Sequence, residues 1–362
     1  MRYLATLLPL VALLSACSSN SPQQTATEPH GNPFKESGGF LLSPSHSATP
    51  FGGDFSNNQA ANAFIDEMVR KHGFDRQQLH DVLGQAQNLD WVVRLMDKQA
   101  PTTTQGPTGP NGAWLRYRSK FITPDNVQNG VVFWNQYQDA LQRAERTYGV
   151  PPEIIVGIIG VETRWGRVLG KTRIIDALAT LSFNYPRRAA YFSGELETFL
   201  LMAREEGNDP LDLRGSYAGA MGYGQFMPSA FKEYAVDFNG DGHINLWDPV
   251  DAIGSVAHYF QAHGWLTNGT VAVQANGQAP GLASGFKTRY SVATLAAAGL
   301  TPQFPLDNNQ QVSLLKFDMG SHYQYWYGLP NFYAITRYNH SNHYAMAVWQ
   351  LGEAVGQARK GM

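Results

Sequence analysis

The amino-acid sequence predicts a mainly α protein with a small β-rich insertion, on three observations. Beyond Gln59, apolar residues recur three and four apart through most of the chain, the period of a helix with one buried face. Between about 268 and 320 that period gives way to short runs, TVAVQA and VSLLKFD, set among Gly, Asn and Pro, which read as strands and turns. The composition, 43% apolar and 15% charged over 362 residues, supplies core for one large or two to three ordinary domains and excludes a disordered chain. A net charge of −2 offers no basic field for nucleic acid. Aromatic residues reach 12%, which suits either a well-packed core or an aromatic-lined groove for a neutral polymer such as a glycan.

The N-terminus is not fold. Arg2 precedes YLATLLPLVALLSAC, too short to span a bilayer and suited to a signal-peptide core. It ends in Leu14-Ser15-Ala16-Cys17, similar to the bacterial lipobox, in which the cysteine becomes the first mature residue and carries lipid. Cys17 is the only cysteine, so an exported chain has no internal disulfide to make with it. The alternative is an ordinary signal peptide with an incidental cysteine. Residues 1–16 are expected to be a lipoprotein signal peptide, and Ser18, in place of Asp, favours the outer membrane by the same resemblance. Residues 17–58, rich in Ser, Pro, Gly, Thr and Gln, read as a lipidated flexible linker. Its stretch from 18 to about 53, roughly 36 residues, reaches about 30–36 Å root-mean-square. No later segment is apolar for the ~18 residues that a span needs.

Residues 59–150 read as a helical domain. NAFIDEMVRKHG stops at Gly73, DRQQLHDVLGQA starts at an Asp cap, and DNVQNGVVFWNQYQDALQRAERTYG reads as one long amphipathic helix ending at Gly149. Pro151 and Pro152 suit the first turn of the next helix. Residues 187–206 form another. Helix returns over 326–362, after the β-rich segment 267–325.

The helix PPEIIVGIIGVETRWG is apolar nearly all round, yet it carries Glu162 at its far end. Ile154, Ile158 and Glu162 lie four apart on one face. Such a helix belongs at the centre of a domain. An acid emerging there among apolar neighbours holds its proton longer, because low dielectric penalises the anion. A general acid needs that property. The other reading is a surface acid paired with Arg164 or Arg167. The stretch GSYAGAMGYGQFMPSAF, residues 215–231, sets Gly and Ala beside Ser216, Gln225 and Phe226, and small residues let backbone approach a ligand closely. It lacks the strand–loop–helix context and the Lys of a phosphate loop. Taken by itself it is equally an irregular loop against the core.

GVETRWG, GAMGYGQFMPS, HYF at 258–260 and RYNHS at 337–341 together resemble, in order and spacing, the motif series of lytic murein transglycosylases. The likeness is nearest to their membrane-bound B type, family 103 of the glycoside hydrolases, and runs from the lipobox to the C-terminus. It implies a mainly α (α+β) fold: a lysozyme-like catalytic core over 151–266, an added helical domain, a small β domain, and C-terminal helices completing the core and helical domain. Glu162 matches the family's single catalytic acid. Gln225 and Asn339 match polar groups that hold the sugar's N-acetyl and hydroxyl groups, and Ser216 matches a hydroxyl near the acid. Tyr117, Phe226, Tyr259 and Tyr338 match groove-lining aromatics, and Arg187 and Arg188 a pair near the peptide stem. Core packing stays open for each tyrosine. For the arginines the alternative is solvated charge at a helix start, where cations oppose the helix dipole.

The resemblance implies a reaction. Glu162 protonates the oxygen linking MurNAc to GlcNAc, and the substrate's own N-acetyl carbonyl stabilises the oxocarbenium-like centre, an exception to the two-carboxylate rule. Ionised Glu162 then takes the proton of the C6 hydroxyl, which closes onto C1 as a 1,6-anhydro sugar, so one residue serves as acid and then base. The enzyme would be a carbon–oxygen lyase remodelling the wall from the outer membrane, anchored through Cys17 and facing the periplasm. It would act as a monomer on peptidoglycan strands, with cell-wall synthesis proteins as candidate partners and no redox or organic cofactor.

DFNGDGHINLWDPVD, residues 237–251, has an EF-hand beginning. Asp237, Asn239 and Asp241 occupy positions one, three and five, Gly242 position six, and His243 would lend its carbonyl at seven. Position twelve is Asp248, not Glu. The family's longer loop matches Asp251 as its last acidic ligand, implying a structural Ca²⁺. A solvated Asn/Gly/Asp turn is the alternative.

Two rival functions differ in kind. A lysozyme-type hydrolase would transfer the sugar to water, and a wall-binding lipoprotein would have a dead site. Glu162 together with an intact Gln225 loop argues against the second. Against the first, no acid occurs between Gly215 and Lys232 or between Phe332 and Gln350, so no second carboxylate is legible for a hydrolase.

Overall fold

The computed structural model describes residues 51–99, 109–279 and 281–361. The predicted signal peptide, Cys17 and the linker as far as residue 50 lie outside these described residues. The chain forms two compact units, each assembled from separated stretches. The smaller comprises 51–99 and 171–219, the larger 109–170 and 220–361. The sequence segments 59–150 and 151–266 are therefore each shared between the two units.

In the smaller unit, helix Gln59–His72 starts where the Asn58 side chain accepts the N–H groups of Ala60 and Ala61, and stops at left-handed Gly73. Asp75 caps helix Arg76–Gly84 by accepting the Gln78 N–H, as the sequence predicts. Helix Asp90–Gln99 follows. Helix Ile174–Phe183 is buried along almost its whole length and packs on helix Ala189–Glu205. The helix expected from 187 begins two residues later, because Pro186–Arg188 forms a 3₁₀ turn ahead of it. A two-stranded ladder pairs Thr172–Arg173 with Arg214–Gly215.

The larger unit holds helices Ala113–Arg118, Pro124–Gln136, Gln138–Tyr148, Pro152–Thr163, Pro228–Tyr234, Pro249–Ala262, Pro330–Tyr338 and Asn342–Lys360. The single long helix expected before Gly149 is in fact two, broken at Tyr137 (φ −112°, ψ 26°). The halves serve different neighbours: the first packs on Asn342–Lys360, the second on Pro249–Ala262. The C-terminal helical segment is likewise broken, at extended Asn339, and Ser341 caps the last helix by accepting the Tyr344 N–H. The β-rich segment is a five-stranded antiparallel sheet centred on the hairpin Gln311–Asp318 with Tyr323–Gly328. Tyr290–Ser291 lies outside the first strand, and Ala272–Gly277, then Leu300–Pro302, outside the second. Val273, Leu314, Tyr325 and Tyr327 build its separate core with Leu295.

Helix Pro152–Thr163 is the axis of the larger unit, buried from Ile154 through Val161. Its main neighbour is Asn342–Lys360, and the two run together at backbone distance. A Cβ on Gly157 would lie 2.3 Å from the Val348 carbonyl oxygen, and one on Gly352 would lie 2.0 Å from that of Glu153. Only glycine fits where backbone is the obstacle.

Gly352→Ala should therefore destabilise the protein by about 1–3 kcal/mol, the usual cost of overpacking. Gly194→Ala, in a helix with nothing within 4 Å of the added methyl, should instead stabilise by about 0.5–1 kcal/mol. Thermal melting of both variants checks the pair. Equal shifts would mean that the helices do not pack this closely.

Candidate active site

Helix Pro152–Thr163 ends one residue after Glu162, at a stop that needs support. Arg164, Trp165 and Gly166 all adopt left-handed backbone, with φ of 51°, 56° and 85°. The two non-glycine residues cost about 1–3 kcal/mol each in that region. The Trp165 indole holds the turn. It folds back into space left by Gly130 and Gly160 and donates its N–H to the Val156 carbonyl at 3.1 Å. Buried Thr163 adds a second tie, its hydroxyl donating to the Tyr223 carbonyl (3.0 Å) and accepting the Gly166 N–H (3.2 Å). Glu162 thus sits on the last turn of a rigid helix, joined to the glycine-rich loop.

That loop reverses tightly. Met221 and Phe226 exchange backbone hydrogen bonds of 2.8 and 3.1 Å. Gln225 is left-handed (φ 52°), and its amide donates to the carbonyls of Gly222 (2.9 Å) and Leu169 (3.3 Å). The Tyr338 hydroxyl donates to the Gly224 carbonyl at 2.5 Å. A Cβ on Gly224 would stand 2.9 Å from that hydroxyl, which accounts for glycine there.

Glu162 is half-buried, and its Oε1 accepts the hydroxyl of Tyr344 at 2.5 Å. Burial pushes the carboxyl up to about 7, against the Tyr344 bond, which favours the anion. No cation and no second carboxyl contributes to that shift. Tyr338 and Tyr344 stack with centroids 6.4 Å apart, and Tyr338 meets Tyr259 edge-on at 4.9 Å and Phe226 at 5.9 Å. Burial first, then the charge of Glu162, raises the hydroxyl pKa of Tyr117, Tyr338 and Tyr344. The three phenols therefore surround the carboxyl and stay protonated. Asn339 is 9% exposed, and its Oδ1 has no hydrogen-bond partner, so a buried acceptor awaits a donor.

The larger unit thus gathers Glu162 with Tyr117, Gln225, Phe226, Tyr259, Tyr338 and Asn339. Ser216, Arg187 and Arg188 belong to the smaller unit. There Ser216 accepts the Ala218 N–H at 3.3 Å, Arg187 lies 3.8 Å from Asp97, and Arg188 covers the Tyr191 ring at 4.3 Å with one guanidinium nitrogen buried and unpartnered. The sequence reading missed Tyr344, the one side chain that bonds directly to Glu162. Its available signal was a first-turn position just after the Ser341 cap.

In the 237–251 loop, Asp237 accepts the N–H groups of Gly240, Asp241 and Gly242, which hold its carboxyl below the usual range. Asn239 and Asp241 lie on the same exposed turn, with left-handed Gly242 (φ 93°) at position six. Asp248 caps helix Pro249–Ala262 instead of facing the turn. Asp251 is buried, accepting the N–H groups of Phe238 (2.8 Å), Asn239 (2.9 Å) and Asn245 (2.9 Å). Among the described residues no three His, Cys, Asp or Glu side chains converge as a metal cluster. The loop offers hard oxygen donors from Asp237, Asn239, Asp241 and the His243 carbonyl, a set that suits calcium and no softer ion.

A mainly helical core presenting one carboxyl, its pKa raised to about 7 and ringed by tyrosines, defines a lysozyme-like enzyme acting on glycans. The chain belongs to the transglycosylase family described as "Transglycosylase SLT domain", whose profile matches residues 56–353. It is 74% identical over 360 residues to the membrane-bound lytic murein transglycosylase B of Escherichia coli, covering 99% of both chains. It is similar to an Escherichia coli lytic transglycosylase solved with bulgecin A (75% identity, 88% of this chain and 100% of that one, TM-score 0.83) and to one solved with calcium (74%, 88% and 100%, 0.82). A Pseudomonas aeruginosa relative solved with NAG-anhNAM-pentapeptide is 29% identical over 84% of this chain and 79% of its own, with a TM-score of 0.71.

The raised pKa of Glu162 couples folding to pH. The folded carboxyl keeps its proton up to about 7 and the unfolded one only to about 4.5. The stability this gives is fully present below the unfolded value and is lost as pH rises through about 7, a change of up to about 3 kcal/mol. Glu162→Gln should match the wild-type melting temperature near pH 4.5 and exceed it at pH 8. An equal difference at both pH values would show that the carboxyl is not held neutral.

Proposed function

We propose that Glu162 alone carries the acid–base chemistry of this chain. The protein is a peptidoglycan lytic transglycosylase, cleaving the MurNAc-β-1,4-GlcNAc bond and leaving 1,6-anhydro-MurNAc ends. One observation carries the assignment: a carboxyl raised to about 7, bonded to Tyr344, with no second carboxyl contributing to its shift. Protonated Glu162 donates to the glycosidic oxygen as the C1–O bond breaks. The N-acetyl carbonyl of the same sugar stabilises the electron-poor carbon. The Glu162 anion, steadied by the Tyr344 hydroxyl, then accepts the C6 hydroxyl proton as O6 bonds to C1. Asn339 Oδ1 suits an N-acetyl N–H, the partly exposed rings of Tyr117 and Tyr338 suit a sugar face, and the buried Phe226 and Tyr259 pack against Tyr338 to hold it. Gln225 is a further substrate contact of the larger unit in this reading, and Ser216, Arg187 and Arg188 of the smaller unit keep the substrate roles that the motif resemblance implies.

We propose that the loop from Asp237 to Asp251 is a calcium site, a reading supported by its oxygen donors and by an Escherichia coli relative solved in complex with calcium. Asp237, Asn239, Asp241 and the His243 carbonyl would hold it, with Asp251 closing the loop. The role is structural. Anchoring in the outer membrane through lipidated Cys17, facing the periplasm, rests on the lipobox resemblance and on the name of the membrane-bound relative. No described helix is long and apolar enough to cross a membrane. Membrane fractionation of a Cys17→Ser variant tests the anchor.

Glu162→Gln should fold and lose about 10²–10⁴-fold in turnover or more, because one residue serves both proton transfers. Digests of sacculi in ¹⁸O-water should yield anhydro termini free of label. Labelled reducing ends as the main product would make the protein a hydrolase. Added calcium should raise the melting temperature, since a ligand bound only by the folded state stabilises it, and Asp237→Ala should abolish that rise. A melting curve indifferent to calcium and chelator would leave the loop as a bare turn.

A further inference from the structure

The smaller unit holds a cleft that the reaction at Glu162 does not use. One wall is the connection between helices Arg76–Gly84 and Asp90–Gln99, and the other is the ladder of Thr172–Arg173 with Arg214–Gly215. Its volume is about 700 Å³, within the roughly 300–1,000 Å³ of small-molecule sites. The two walls are tied together. Asp176, 4% exposed, accepts the Gln87 N–H at 2.9 Å and the Arg173 guanidinium at 2.8 Å. Arg173 also donates to the Gln85 carbonyl (2.7 Å), and the Leu89 N–H donates to the Thr180 hydroxyl (2.9 Å). The cleft is therefore formed before any ligand arrives, which lowers the ordering cost of binding.

Two features of the lining point to a ligand. The first is charge. Lys171, Arg173 and Arg214 line the cleft with a single acid, Asp176, and that acid is spent on Arg173. Arg173 stands directly opposite Arg214 in the ladder, a like-charge pairing that is destabilising in itself. Lys171 is exposed and forms no ion pair among the described residues. A chain of net charge −2 thus concentrates cations at one place. The second feature is Trp91, 43% exposed on the first turn of its helix. A lone exposed ring is ordinary, but this one lines a cleft beside those cations. It is also held in place. Trp91 and the buried Tyr217 meet edge to face at 6.3 Å, and the Tyr217 hydroxyl donates to Gln99 at the far end of the same helix (2.8 Å).

A fixed indole, exposed cations and the Gln87 amide in one cleft match a sugar that carries a carboxylate. A pyranose lays its C–H face on an aromatic ring, as an apolar body with a wet rim, and cations take the carboxylate through charge-assisted hydrogen bonds. We propose that this cleft binds MurNAc units whose lactyl carboxyl is free, as on glycan strands stripped of their stem peptides. Trp91 lies against the sugar ring, Lys171 and Arg214 take the carboxylate, and the Gln87 amide serves the N-acetyl group. The choice of ligand rests on the transglycosylase reading. The role is binding, since Glu162 belongs to the other unit. A stem peptide or a lipid headgroup would use the cations, but neither offers the flat C–H face that Trp91 matches.

The test follows the indole N–H resonance of Trp91 in the full chain, identified by its loss in Trp91→Phe. Titration with the GlcNAc–MurNAc disaccharide, its lactyl carboxyl free, should move that resonance to saturation. Lys171→Gln should raise the Kd read from it about 2–5-fold, the range one exposed ion pair supplies. High salt should weaken binding in the same way, and Lys171→Arg should restore it. Chitobiose, of the same size without the carboxyl, should bind the wild type no more tightly than the disaccharide binds Lys171→Gln. A Trp91 resonance that ignores the disaccharide overturns the site. So does equal affinity for chitobiose with no effect of Lys171→Gln. A response to isolated stem peptide or to phosphatidylglycerol vesicles, and none to the disaccharide, overturns it in favour of that ligand. Anhydro ends from sacculi are scored separately on the wild type. If they are absent while Trp91 still reports the disaccharide, the transglycosylase reading fails and the cleft stands; if they form while Trp91 is silent, the cleft alone fails.

Discussion

The structure of the larger unit depends on the close approach of helices Pro152–Thr163 and Asn342–Lys360. Glycines on both helices bring backbone to backbone, so the interface tolerates no Cβ at Gly157 or Gly352. Because neither helix can slide or rotate without a clash, the first turn of one is held at a fixed depth beside the last turn of the other. Tyr344 lies in that first turn and Glu162 in that last turn. A hydrogen bond of 2.5 Å between residues 182 positions apart is a result of this packing, and so is the apolar enclosure that keeps the carboxyl neutral.

Tyr344 affects Glu162 in two opposing ways. Its ring adds to the burial that favours the protonated acid, while its hydroxyl favours the anion. A residue that must first give a proton and then take one benefits from both, since neither protonation state is left far from the other in energy. Tyr338 stacks on Tyr344 and donates to the Gly224 carbonyl. The glycine-rich loop, the acid helix and the last helix are in this way joined by hydroxyl contacts instead of by charges, so the field at Glu162 contains no cation that would lower its pKa.

Local chemistry was the legible part of the fold. Asp75, Gly73 and Pro152 mark helix boundaries because each acts within one turn of its own position. Glu162 could be placed from four-residue spacing in an apolar helix. The 237–251 loop could be placed from the alternation of Asp and Asn. The break at Tyr137 was not legible, since the apolar period runs through it and only the two separate packing partners require it. Tyr344 was hidden for the same reason, reading as one more aromatic of an amphipathic helix. Asp251, the last acidic ligand by resemblance, shows in the structure what the spacing does not: it accepts three backbone N–H groups. The division into two units also escaped the sequence reading, because each unit is made of stretches that separate along the chain and rejoin in space.

The order of the two central helices along the chain bears on how the protein is made. The apolar helix Pro152–Thr163 is synthesised near the middle, and its principal cover arrives only with the last residues. At about 5–20 residues per second, the roughly 190 intervening residues take about 10–40 s to appear. For that interval an almost wholly apolar segment lacks its principal native partner. Contacts so distant also slow closure of the core after synthesis ends. The nascent chain thus has a long window of vulnerability to proteolysis and aggregation, and a truncation that removes the final helix would leave that window permanently open.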